Sequence, residues 1–149
     1  MSIRRLLVVP FLMVVTACSA DSSTGSSIGS EAGPPPLDTT LIAEGKPLYD
    51  THCASCHRID GTGDENWRSI NADGSYPAPP HDSTGHTWHH SNRLLIDLIA
   101  NGSDFAQSRM PEFGDRLSTG EIEAILEYIK TWWGPEERAF QWEVSQQES

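Results

Sequence analysis

Cys53-Ala54-Ser55-Cys56-His57 is the stretch from which the rest of the chain is read. Two thiols three positions apart, with an imidazole directly after the second, have the spacing of c-type haem attachment. On a helical turn the two sulfurs reach the two vinyl groups of one porphyrin, and His57 is carried beneath the iron. Its Nε2 then supplies an axial ligand. A zinc half-site would need two more Cys or His ligands at matching spacing. A redox-active CxxC would need a βαβ setting, which this sequence does not show.

Working outward towards the C-terminus, the opposite ligand is sought in Arg109-Met110-Pro111-Glu112-Phe113-Gly114. Met1 and Met13 fall in the leader described below, which leaves Met110 as the one methionine of the mature chain. It lies 110 − 57 = 53 residues past His57, with a predicted helix between and another after. A thioether on an extended loop, followed by a backbone-fixing proline, suits a distal haem ligand, and soft sulfur favours ferrous iron. A methionine filling a core gap is the competing reading.

Helices frame these two sites. The first is expected from about Glu44 through His57, with Pro47 tolerated in its first turn. Gly45 and Tyr49 lie on one face of it. A second helix is predicted over Arg93 to Ala100, capped by Ser91 or Asn92 and closed by Asn101-Gly102, with Leu94, Leu95, Leu98 and Ile99 facing inward. Ser118 and Glu121 form a capping box for the last core helix. Ile122, Ile125, Leu126, Ile129 and Trp133 repeat along that helix at helical spacing. Gly134-Pro135 ends it, and Pro135 opens a short extra helix carrying Phe140 and Trp142, which either covers the domain or meets a partner.

The N-terminus reads as a leader and a leash. Arg4-Arg5, the apolar run Leu6 to Val15, and Val15-Thr16-Ala17-Cys18 have the form of a signal peptide over residues 1–17. The apolar run is too short to span a bilayer. The box around Cys18 resembles that of bacterial lipoproteins, which makes Cys18 the lipidated first residue. With Cys53 and Cys56 given to haem, no cysteine remains for a disulfide. Residues 18–37, rich in Ser, Gly and Pro, have too little apolar content for a core and are read as a disordered tether with a reach of roughly 25 Å. Two acyl signals or more hold such a chain stably at a membrane. Ser19 at the next position resembles sorting to the outer membrane in a Gram-negative cell. The expected location is therefore extracytoplasmic, on the periplasmic side.

Removing residues 1–17 leaves 10 − 2 = 8 basic and 21 acidic residues, a formal charge of −13 with histidines neutral. Nucleic-acid binding, which wants a basic face, is excluded as a reading. The charge suits redox partner proteins with a basic docking patch. Between the first two core helices lies a long loop punctuated by Gly61, Gly63, Pro77, Pro79, Pro80 and Gly85. Trp67 and Trp88 in it carry indole N–H groups suited to haem propionates, with Arg58 and Arg68 as further partners. The same loop holds His81, His86, His89 and His90, which either form a second metal site or rival haem ligand, or lie in a hydrogen-bonded surface loop. His52 is expected at the surface.

Taken together, Gly45/Tyr49, Cys53-Ala54-Ser55-Cys56-His57, the Met110-Pro111-Glu112-Phe113 loop and the capped Tyr128 helix resemble a class I mono-haem cytochrome c, over roughly residues 40–133. The resemblance implies an all-α cytochrome c fold, three core helices around one covalent haem c, with Tyr128 and Trp132 packed on Gly45 and Tyr49. It assigns Cys53 and Cys56 as thioether anchors and His57 and Met110 as axial ligands. The cytochrome domain is placed at residues 38–134, with a C-terminal extension at 135–149. One-electron transfer without substrate turnover is the implied function. A haem enzyme or gas sensor with a labile sixth ligand, and a metal-handling module built on the His81–His90 loop, are the alternatives. A core this small relies on the porphyrin as its apolar centre.

Overall fold

Residues 33–148 are described by the computed structural model, so the leader, Cys18 and most of the expected tether fall outside them. The described chain is all-α, without strands. Its helices are α1 (Thr39–His52), α2 (Ala54–His57), α3 (Asn92–Asn101), α4 (Thr119–Ile129) and α5 (Pro135–Gln147), with 3-10 turns at Thr87–His89 and Lys130–Trp132.

Helix α1 starts five residues before its expected position. Asp38 caps it, the carboxylate accepting from Thr40 N at 2.8 Å and Leu41 N at 3.3 Å. Pro47 consequently stands in the helix interior, not in the first turn. There it removes a backbone donor, at a cost of about 3 kcal/mol in an isolated helix. Burial of Gly45 and Tyr49 along the same helix offsets that loss. The helix also does not run unbroken to His57. It ends at His52, and Cys53 links it to the single turn α2, whose His57 N bonds Cys53 O at 2.9 Å.

Gly45 is where α1 crosses α4. A β-carbon at this position would collide with the backbone carbonyl of Ala124. The close approach lets Tyr49, fully buried, meet Tyr128 and Trp132 edge-on, with ring centroids 5.5 and 5.1 Å apart. The capping box of α4 is present in both directions, and Ile122, Ile125, Leu126, Ile129 and Trp133 are all buried. Helix α3 carries Ser91 as its N-cap, bonded to Leu94 N, and buries Leu95 and Ile99.

Helix α5 covers the domain. Phe140 lies 5.6 Å from Trp88 and 5.5 Å from His89 between ring centroids. Gln141, 4% exposed, donates to Asn92 Oδ1 at 2.8 Å and reaches His90 O at 3.3 Å. Arg138 donates to Pro35 O at 2.6 Å, which lays the end of the expected tether against α5.

Candidate haem site

His57 is brought to the centre of the fold by a loop that returns to it. Gly63, with φ +59, donates its N–H to His57 O at 3.0 Å. Its α-carbon faces the Pro79–Pro80 backbone so closely that a β-carbon would stand 2.5 Å from Pro79 C. Asp64 N then bonds Ala78 O at 2.9 Å. The pairing presents Pro79 O to His57 Nδ1 at 2.9 Å. An Nδ1–H donated to that carbonyl leaves Nε2 as the lone-pair nitrogen, the tautomer that an iron ligand requires. Burial lowers the pKa of this ring, while the Pro79 bond opposes the shift, so the imidazole is neutral near pH 7. Tyr49 helps fix the turn after it, its hydroxyl donating to Arg58 O at 3.0 Å.

Cys53 is half-buried and Cys56 exposed. Burial, and then the neighbouring Cys56, push the Cys53 thiol up to about 12. Cys53, Ala54, Trp88 and Met110 all border the buried cluster that contains Tyr49, Leu95, Ile99 and Phe113. Bonds within the loop and from the loop to α3 hold Met110 there. Its N–H donates to Ser108 Oγ at 3.1 Å, and Gly114 N bonds Ala100 O at 2.8 Å. Phe113 N reaches both Ile99 O and Ala100 O at 3.1 Å. The methionine loop is thereby tied to the C-terminal end of α3.

Trp67 stacks on His86, with centroids 5.2 Å apart, and Arg68 lies over Trp67 at 4.0 Å. Trp88 instead holds a buried Nε1–H that has no partner among the described residues. An orphaned buried donor is costly, and a propionate oxygen of a bound haem would satisfy it. With the open Nε2 of His57 and the paired thiols, this donor fits the chain to a haem.

The four histidines of the loop do not share one site. His81 is buried against His57, His86 packs on Trp67 and meets His90 edge-on at 5.5 Å, and His89 is exposed beside Trp88 and Phe140. Among the described residues, no three of His, Cys, Asp and Glu are grouped to hold an ion. His52 is partly buried, not a free surface residue, because its ring meets Phe113 edge-on at 6.0 Å. Sequence reasoning missed Pro79, Thr87 and Gln141. Pro79 stands 22 residues from His57, and only the folded loop reveals that its carbonyl is an acceptor.

Comparison with known proteins bears directly on this geometry. The cytochrome c family model matches residues 42–133, from within α1 to just past the 3-10 turn that follows α4. The chain belongs to the cytochrome c family. It is a class I c-type cytochrome, with haem c as its covalent cofactor and electron transfer as its general role. A curated relative is the cbb3-type cytochrome c oxidase subunit FixP of Azorhizobium caulinodans, 28% identical over 111 residues. The alignment covers 74% of this cytochrome but 33% of that relative. The family match stops before α5, so α5 lies outside the matched region.

Proposed function

We propose that this cytochrome is a membrane-tethered, extracytoplasmic single-electron carrier with His57 and Met110 as axial ligands. Cys53 and Cys56 are the thioether anchors, and Cys18 carries the lipid. The observation that carries the reading is the His57 Nδ1 to Pro79 O bond of 2.9 Å, which fixes a neutral imidazole with Nε2 open. Bound haem c supplies an iron that gains and loses one electron. The chain's own part is to hold that centre rigidly. Pro79 orients His57, the α3-tied loop offers the Met110 thioether, and Trp88 supplies a donor for a propionate. Rigid ligation on both sides leaves no position for a substrate, which is why the reading is a carrier and not an enzyme.

Partners are redox proteins. A mature charge of −13 favours a basic docking patch and a salt-sensitive encounter. Ile59, two residues past His57 and 59% exposed, offers an apolar landing point beside the attachment motif. The relation to an oxidase subunit supports delivery of electrons to or within a terminal oxidase assembly. In this reading the anchor is the lipid on Cys18, in the outer membrane if the cell is Gram-negative; among the described residues no helix is long and apolar enough to cross a membrane.

The optical spectrum of the matured ferric protein tests the ligation. Wild type is expected to show the weak methionine-sulfur-to-iron charge-transfer band, and Met110→Ala to lose it. A wild-type low-spin spectrum without that band would overturn Met110 as the ligand.

A further inference from the structure

We infer that His81 is a positioning residue for His57, setting the plane of the proximal imidazole through a face-to-face stack. The inference rests on the reading of His57 as an axial ligand. The two rings lie 4.1 Å apart between centroids with an interplanar angle of 22°. A ring stacked on His57 shares that residue's side of any iron it binds, so His81 is not the opposite ligand.

His81 is itself held on every side. Its Nδ1 meets Thr87 Oγ1 at 3.1 Å, and Thr87 Oγ1 in turn lies 3.4 Å from Pro80 O. The backbone is fixed at both ends: His81 N donates to Gly61 O at 2.7 Å, and His81 O accepts from Trp133 Nε1 at 2.6 Å. The ring also lies parallel to Trp132 within 2°, with centroids 6.4 Å apart, and Tyr49 meets it edge-on at 5.9 Å.

The physical need for such a neighbour follows from the Pro79 contact. With the ring joined to the chain at Cγ, one hydrogen bond at Nδ1 is a soft restraint on its rotation about Cβ–Cγ. A flat face against the ring removes the remaining freedom. Groups beyond the ligands that orient an imidazole alter its basicity and its overlap with the metal. Burying an imidazole where an aliphatic side chain would pack is unfavourable unless its polar atoms are satisfied. Thr87 supplies that partner, and Gln141 on α5 steadies the segment after Thr87 through His90 O.

Electron paramagnetic resonance of the ferric holoprotein, with the midpoint potential, tests the proposal. His81→Leu fills the space but removes the flat face. Its low-spin lines should broaden as the His57 plane becomes distributed, and its potential should shift. His81→Phe keeps a flat ring and should restore narrow lines. Thr87→Val leaves His81 in place but unpinned, and should give intermediate broadening even where His81→Leu does not fold. Unchanged line widths and potential in Thr87→Val and in any folded His81→Leu would overturn the role of His81. A wild-type protein without low-spin iron would overturn the ligation reading itself, and the two failures are therefore distinguishable.

Discussion

At Gly45 the helices α1 and α4 touch backbone to backbone, and no side chain fits between them. Gly45→Ala must push α1 off the Ala124 carbonyl, and overpacking of this kind costs roughly 3 kcal/mol. The holoprotein variant should show that loss in chemical denaturation, and wild-type stability would mean the helices do not meet there. A second prediction concerns His86 and His90, whose pKa values are both lowered, first by burial and then by neighbouring histidines. His86 faces Trp67, Arg68 and His90, while Glu148 acts on His90 in the opposite sense. Unfolding returns both rings to a pKa of about 6.5. The unfolded chain then binds more protons, so their contribution is full above that pH and is lost as pH falls through the folded values. Denaturation midpoints should fall between about pH 7 and 5, and His86→Gln/His90→Gln should flatten part of that slope. An identical slope in the variant would contradict the assignment. At this scale Cys53, Cys56 and His57 were legible because their chemistry is written in five consecutive residues. The stack of His81 on His57 was not, since it joins positions that only the loop's return brings together.

Helices differ in how much of them can be read from local signals. Helix α4 carries its cap, its capping partner and its apolar repeat within sixteen residues, 118 to 133, and all three were legible. The start of α1 was not, because Pro47 suggested a first turn while Asp38 already supplied the cap. The break at Cys53 has no sequence marker of its own. Helix α5 was legible as a helix from Gly134-Pro135, but its target was not, since its contacts lie about fifty residues away. Gln141 joins α5 to the start of α3 and to His90, through bonds to Asn92 Oδ1 and His90 O. Gln141→Ala leaves the half-buried Asn92 Oδ1 and His90 O without this donor and should cost about 1 kcal/mol. Limited proteolysis after that substitution should cut first around residues 86–92 or within α5. An unchanged cleavage pattern and stability would show that α5 does not hold the loop.

Across the whole molecule, the matched family region, residues 42–133, is flanked in sequence by segments that the family model does not include. Those segments meet where Arg138 of α5 is bonded to Pro35, and α5 packs on the matched region at Trp88 and His89. The all-α class was legible in the sequence because each core helix carries its own periodicity, and the order of haem motif, α3, methionine loop and α4 ties them into one fold. The packing of these flanking segments was not legible, being built from contacts between distant positions. In the proposed reading this domain is a six-coordinate electron carrier, with His57 and Met110 as its axial ligands. The most direct measurement is the optical response of the fully reduced protein to carbon monoxide at neutral pH. The account predicts an unchanged ferrous spectrum in wild type and rapid binding in Met110→Ala. Rapid carbon monoxide binding by the wild type would contradict it and make the protein a sensor or enzyme with an open iron.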